Sequence, residues 1–259
     1  KADLDEPLTI AVVGSRESGK SRLIQAAGDI FQGDDRPVRA RLEGMGLDPT
    51  LVDRLKHVKY VEVAGYTSNG PIDREPRGDR TSREAAVAAT VDADMVVLVI
   101  DGRKGLKPAD VAFAKAWDAY FVQHPDREPP ALVVVTGVDR EEFGPTWQPP
   151  YDWSTGQGVR EAAVRSLFDS LRAALPPTFT EYAAAGLPES SPFGMIEHVL
   201  PAFAEQFHRA ERAALLRRLQ AAANRSKVGR VVSQLGQQGK NVWAHIKSRR
   251  GRGKSAKPS

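Results

Sequence analysis

The sequence predicts an α/β fold of three layers, a mostly parallel β-sheet covered by helices on both faces, followed by a basic helical tail. Short apolar runs rich in β-branched residues alternate with segments of helical spacing, the pattern of βαβ units. The first run ends in a glycine-rich turn, "GSRESGKS", that leads directly into a helical segment. The charge is divided: the last stretch of the chain is basic and the remainder is acidic.

Taken in order, Leu8 to Val13 reads as a buried strand that stops at Gly14, and Gly19 to Ala27 as a helix. Val58 to Val63 predicts the second strand, and the polar, Gly/Pro-rich stretch from Tyr66 to Arg80 a loop. Met95 to Ile100 predicts the third strand, ended by Asp101-Gly102. Val111, Phe113, Ala114, Trp117 and Phe121 share helical spacing within Ala109 to Val122, and Ala131 to Thr136 predicts the fourth strand. Val159 to Leu175 is an amphipathic helix stopped by Pro176-Pro177. Phe179 to Ala184 reads as a last strand, and Phe193 to Leu219 as mostly helical. Such sheets bind ligands beyond the carboxyl ends of their strands, so the chemistry is expected in the loops that follow these runs.

The 259 residues suffice for one domain with an appendage, divided here into residues 1–223 and a tail of residues 224–259. The absence of cysteine excludes disulfides and thiolate metal sites and suits a reducing, cytoplasmic setting. No apolar run approaches the roughly 20 residues of a membrane-spanning helix. The chain starts at Lys1 and not at Met, so a preceding segment is expected. From Arg209 onward there are 14 Lys and Arg against one acid, Glu211, a net of +13. The other 23 basic and 32 acidic residues give residues 1–208 a net of −9.

"GSRESGKS" fits G-x-x-x-x-G-K-[ST] without mismatch, between a strand and a helix. This is the pattern of a P-loop NTPase. Gly14 and Gly19 let the backbone curl so that the N–H groups of Ser15, Arg16, Glu17, Ser18 and Lys20 to Arg22 can face phosphate oxygens. The helix start adds its positive dipole end. Lys20 supplies a charge for the β- and γ-phosphates, and the Ser21 hydroxyl can ligate Mg²⁺. The Arg16 and Glu17 side chains either reach the phosphates or remain solvated loop charges.

Thr136-Gly137-Val138-Asp139 follows the fourth strand. A carboxylate there can accept two N–H donors from a guanine edge, an arrangement that adenine does not offer. The stretch is a variant of the N/T-K-x-D motif in which Asp139 is kept and Gly137 replaces the lysine whose stem packs on the base. After the second strand, where D-x-x-G is expected, the sequence has Glu62-Val63-Ala64-Gly65. Glu62 would act at the metal, and Gly65 would face the γ-phosphate and open a switch loop. Between Ser21 and Glu62 the only threonine is Thr50, either a switch residue or a helix cap.

With these residues in order the chain resembles the Era-like and dynamin-like bacterial GTPases of the translation-factor class. Within them it is similar to a branch with a T-H-x-D guanine motif that is often coupled to membrane segments. The likeness extends through "FVQHPDREPPALVVVTGVDR", "WQPPYDWSTGQGVREAAVRSLFDSL" and "SPFGMIEHVLPAFAEQFHRAERAALLRRL", roughly residues 8 to 220. The resemblance implies a Ras-like sheet, GTP or GDP with Mg²⁺, and a base-contacting loop at Ala183-Ala184-Ala185-Gly186 with a backbone N–H toward the guanine. Glu62, Gly137 and the lack of a clear switch threonine depart from the pattern, which predicts retained binding and slow hydrolysis.

In the tail, Val228, Val231, Val232, Leu235, Val242, Trp243 and Ile246 fall at near-helical spacing among Arg225, Lys227, Arg230, Lys240 and Lys247. An anionic membrane surface, the phosphate backbone of nucleic acid, and a helix docked on the domain are the alternatives, with nucleic acid ranked below the membrane. Three functions remain open. One is a slow GTPase acting as a switch, completed by a protein partner or a homodimer. Another is a nucleotide-binding scaffold that recruits partners or membrane. The third, an ATP-using P-loop protein, is opposed by Asp139.

Overall fold

The computed structural model describes residues 7–67, 76–144, 152–188, 192–215, 217 and 218. Residues 7–214 belong to one compact unit; residues 215, 217 and 218 are helical and belong to a second unit with the chain ends. The expectations for the tail at 224–259 lie outside the described residues.

Five strands form one all-parallel sheet: β1 (Thr9–Val13), β2 (Lys59–Glu62), β3 (Met95–Asp101), β4 (Ala131–Thr136) and β5 (Glu181–Ala185). Their spatial order is β2-β1-β3-β4-β5. β3 and β4 are buried along their whole length, which is why they read as continuous apolar runs and not as alternating ones. Alternation still sorts their side chains. Ile10, Val12, Met95, Val97, Val99, Leu132 and Val134 enter one core layer. Ala11, Val13, Val96, Leu98, Ile100, Val133 and Val135 enter the other.

The helices are α1 (Lys20–Gln32), α2 (Arg36–Gly44), α3 (Leu51–Leu55), α4 (Arg77–Thr90), α5 (Pro108–Val122) and α6 (Val159–Ala174). A π-turn at Met195–Val199 runs into α7, residues 200–215. α1, α2, α3 and α7 cover the first core layer, where Phe31, Leu42, Leu51, Phe203 and Phe207 pack. α4, α5 and α6 cover the second, built around Phe113, Trp117, Phe121, Phe168 and Leu171. This is the three-layer α/β fold that the sequence predicts.

Two differences concern helices. The segment between α1 and β2 holds α2 ahead of α3, the helix that the sequence starts at Thr50, and α4 starts at Arg77, inside the stretch expected to be loop. Each of α2 and α4 buries only two residues, Val38 and Leu42 in the first, Ala86 and Thr90 in the second. So sparse a stripe gives little periodic signal.

β1 lies between β2, reached by α1 on one side of it, and β3 on the other, so the strand order reverses there. The crevice beyond its carboxyl end is where such a sheet opens. In register, Val12 lies opposite Glu62, while Asp101, Thr136 and Ala185 form a row across β3, β4 and β5. The carboxyl ends of all five strands therefore converge on one rim.

Candidate functional site: a phosphate loop facing a carboxylate turn

The loop from Gly14 to Gly19 joins β1 to α1. Gly14 has φ +145°, and a Cβ there would lie 2.3 Å from the Val99 carbonyl oxygen. No other residue type fits that approach to β3. Gly19 is left-handed and stands just before α1, as the turn requires. The Lys20 side chain is buried, and its Nζ donates to the carbonyls of Gly14 (3.2 Å) and Ser15 (2.9 Å). Burial lowers its pKa, against the opposing pull of Glu62 and Asp110. The buried Ser18 hydroxyl finds no protein partner. A desolvated ammonium beside an unpartnered hydroxyl favours an anion, which would supply charge to one and an acceptor to the other.

Ser21 Oγ donates to Glu62 Oε1 at 2.8 Å, so the two residues assigned to the metal meet although they are 41 positions apart. Gly65 lies against the loop: a Cβ on it would be 2.9 Å from the Arg16 backbone and 3.0 Å from Lys20 Nζ. Next to it, Ser15 and Tyr66 form a parallel bridge, and Arg16 N–H donates to the Tyr66 carbonyl at 2.9 Å. The Arg16 side chain turns to the Gly65 carbonyl (3.3 Å). Glu17, with φ +60°, pairs with Lys104 at 2.8 Å, which holds its carboxyl below the usual range. Thr50 is exposed before α3, its backbone N–H donates to Asp48 Oδ1 at 2.8 Å, and it does not line the cleft.

The cleft has a volume of about 540 Å³ and runs from Lys20, Ser21, Arg22 and Glu62 to Thr136, Gly137 and Asp139. Thr136 Oγ donates to the Ser18 carbonyl at 2.6 Å and so ties the phosphate loop to the Asp139 turn. Asp139 is mostly buried at the far end, with Arg140 Nε 3.5 Å away. Ala184 and Ala185 are buried within β5, and their segment reaches the cleft through Leu187. The Gly186 N–H is bonded to the Phe193 carbonyl at 3.1 Å.

Four residues that matter here were not singled out from sequence. Asp101 and Arg103 line the cleft as an ion pair. Arg160 is buried on α6 and donates to the carbonyls of Val138 and Gly144, clamping the turn that carries Asp139. Asp110 is buried behind the phosphate loop and caps α5 through the Lys107 N–H at 3.1 Å. Only Arg160 had a sequence signal: it occupies the buried stripe of Val164, Phe168 and Leu171.

For a divalent cation, Ser21 and Glu62 supply a hydroxyl and a carboxylate, hard oxygen donors that suit Mg²⁺ when phosphate and water complete its shell. Among the described residues no group of three or more His, Cys, Asp or Glu could hold a metal by itself. None of their helices is long and apolar enough to cross a membrane.

No family model matches the chain. It is 30% identical over 186 residues to GTPase Der of Nitrobacter winogradskyi, covering 65% of this chain and 35% of that protein. It is 29% identical over 184 residues to GTPase Der of a Bradyrhizobium strain, covering 67% and 36%. The chain thus spans about a third of the length of the curated relatives it matches. Among solved structures, it aligns with a bacterial selenocysteine-specific elongation factor at a TM-score of 0.46, with 15% identity over 79% of this chain and 29% of that one. A probable GTP-binding protein, engB, aligns at 0.39 with 16% identity, over 79% and 98%.

Proposed function

We propose that this chain is a guanine-nucleotide-binding protein that holds GTP or GDP with Mg²⁺ in the cleft, turns GTP over slowly and acts as a switch. The observation that carries the reading is one cleft with a buried lysine at one end and a mostly buried carboxylate at the other. The name of the relatives, GTPase Der, supports it.

Lys20 would leave the Gly14 and Ser15 carbonyls for the phosphates, joined by the loop amides and the Ser18 hydroxyl. Ser21 and Glu62 would hold Mg²⁺, which neutralises charge between the phosphates. Asp139 would accept the two N–H donors of the guanine edge. Slow turnover is supported by the position of Thr50 outside the cleft, and by Glu62, a longer carboxylate already bonded to Ser21. A type like the Era and dynamin-like switches, action at a membrane surface through residues 224–259, and completion by a protein partner or homodimer belong to the same reading. A scaffold that binds nucleotide without turnover is its rival.

The test is equilibrium binding of GTP, GDP and ATP with single-turnover hydrolysis, for wild type and Lys20→Ala. GTP preference with slow release of phosphate above the Lys20→Ala background is expected. ATP preference would end the guanine assignment, and tight GTP binding without turnover would select the scaffold. Asp139→Asn replaces an acceptor by a donor, so preference is expected to move from guanine to xanthine nucleotides.

A further inference from the structure

We infer that the Arg103 guanidinium forms a flat wall of the base pocket, where Gly137 offers no side chain. The inference rests on reading the cleft as a nucleotide site and adds the residue that holds the face of the base, where Asp139 reads its edge.

Gly137 has φ +72°, a conformation that side chains rarely adopt. A Cβ there would touch Arg103 Cγ and Nε, both at 3.5 Å, and crowd Asp101 Oδ1 at 3.3 Å, so Arg103 packs directly against position 137. Arg103 thus borders the place from which a residue-137 side chain would extend, beside Thr136 and Asp139 in the lining of the cleft.

Its guanidinium is fixed. Nε donates to Asp101 Oδ1 at 2.9 Å and Nη2 to Oδ2 at 2.7 Å, a two-pronged pair, and the Arg103 N–H adds a third bond to Oδ1 at 3.1 Å. The Asp101 side chain is only 3% exposed, at the end of the buried strand β3, whereas Arg103 is 36% exposed. The anchor is therefore inside the fold and the plane is at the cleft. A guanidinium bonded through its edge keeps its flat faces for stacking, and planar cations stack well on nucleobases. Arg140, beside Asp139 in the lining, is 46% exposed and meets that carboxylate only at 3.5 Å, a looser hold than the two-pronged pair on Arg103, so it is the weaker candidate.

The experiment measures binding of GDP, IDP, ADP and tripolyphosphate to the full chain, for wild type, Arg103→Ala and the pair Asp101→Asn with Arg103→Ala. The pair removes the buried carboxylate that the single change would strand. Stacking is independent of base identity, so both variants are expected to lose roughly ten-fold in affinity for GDP and IDP alike. Their GDP-to-IDP ratio and tripolyphosphate binding stay at wild-type values. GDP affinity unchanged in both variants, or tripolyphosphate lost in parallel, overturns the proposal. Failure of the guanine reading shows differently, as wild type that binds ADP no more weakly than GDP. The effect of Arg103→Ala on ADP then still decides the stacking role.

Discussion

Arg160 sits at a helix position that its neighbours Val164, Phe168 and Leu171 mark as apolar, and the carbonyls of Val138 and Gly144 offset its cost of burial. Arg160→Ala strands both acceptors and opens a void, so a loss of about 2–4 kcal/mol in denaturant unfolding is expected, with weaker GDP binding because the Asp139 turn loosens. A stability change without any change in binding would separate the clamp from the site. At Asp110, burial pushes the carboxyl above its ordinary value despite the Lys107 N–H bond. A raised acid binds its proton more tightly in the folded state, so stability falls as pH rises from about 4, the unfolded value, through the raised one. Asp110→Asn should flatten that fall in melting temperatures taken across the acidic range. Asp101 has the opposite sign. Burial opposes ionisation there, but the bonds and charge of Arg103 outweigh it and hold the carboxyl low. Its stabilising share is present above the ordinary carboxylate value and is lost as pH falls through the lowered one.

β1, β3 and β4 were legible in the sequence because they are buried on both faces, and the ends of all five strands matched within two residues. α2 and α4 were not legible, since helices that bury two side chains carry their stability elsewhere. In α2 and α3 it lies partly in ion pairs: Arg39 reaches Asp35 (3.0 Å) and Asp53 (2.7 Å), and Lys56 reaches Asp35 (2.7 Å). These bonds lower Asp35 to about 2. Its contribution is therefore complete above about pH 4 and disappears as pH falls through about 2. The stability difference between wild type and Asp35→Asn should narrow over that window, and a constant difference would show that the pairs are idle. The site divides similarly. Gly14 to Ser21 and Thr136 to Asp139 form contiguous motifs that fix their own backbone. Arg103 and Asp110 come to the site only by tertiary approach, and a lone arginine two residues past a strand has no pattern to find.

For the molecule as a whole, a ligand that binds only the folded chain stabilises it by mass action. GDP with Mg²⁺ at 100 times its dissociation constant should add about 2.7 kcal/mol. In a domain of this size that is a rise of roughly 5–10 °C in melting temperature. ADP at the same concentration should give less, and an equal shift would contradict the base assignment. The Thr136 hydroxyl then has a consequence of its own. It joins the loop that, on the proposed reading, would hold one half of a nucleotide to the turn that would hold the other, across 118 positions of chain. Occupying the phosphate half alone would order the base half, so two fragments should bind with positive cooperativity: tripolyphosphate should tighten guanosine. Thr136→Val keeps the shape and removes the bond, and in that variant the two fragments should bind independently, each with the same affinity whether or not the other is present.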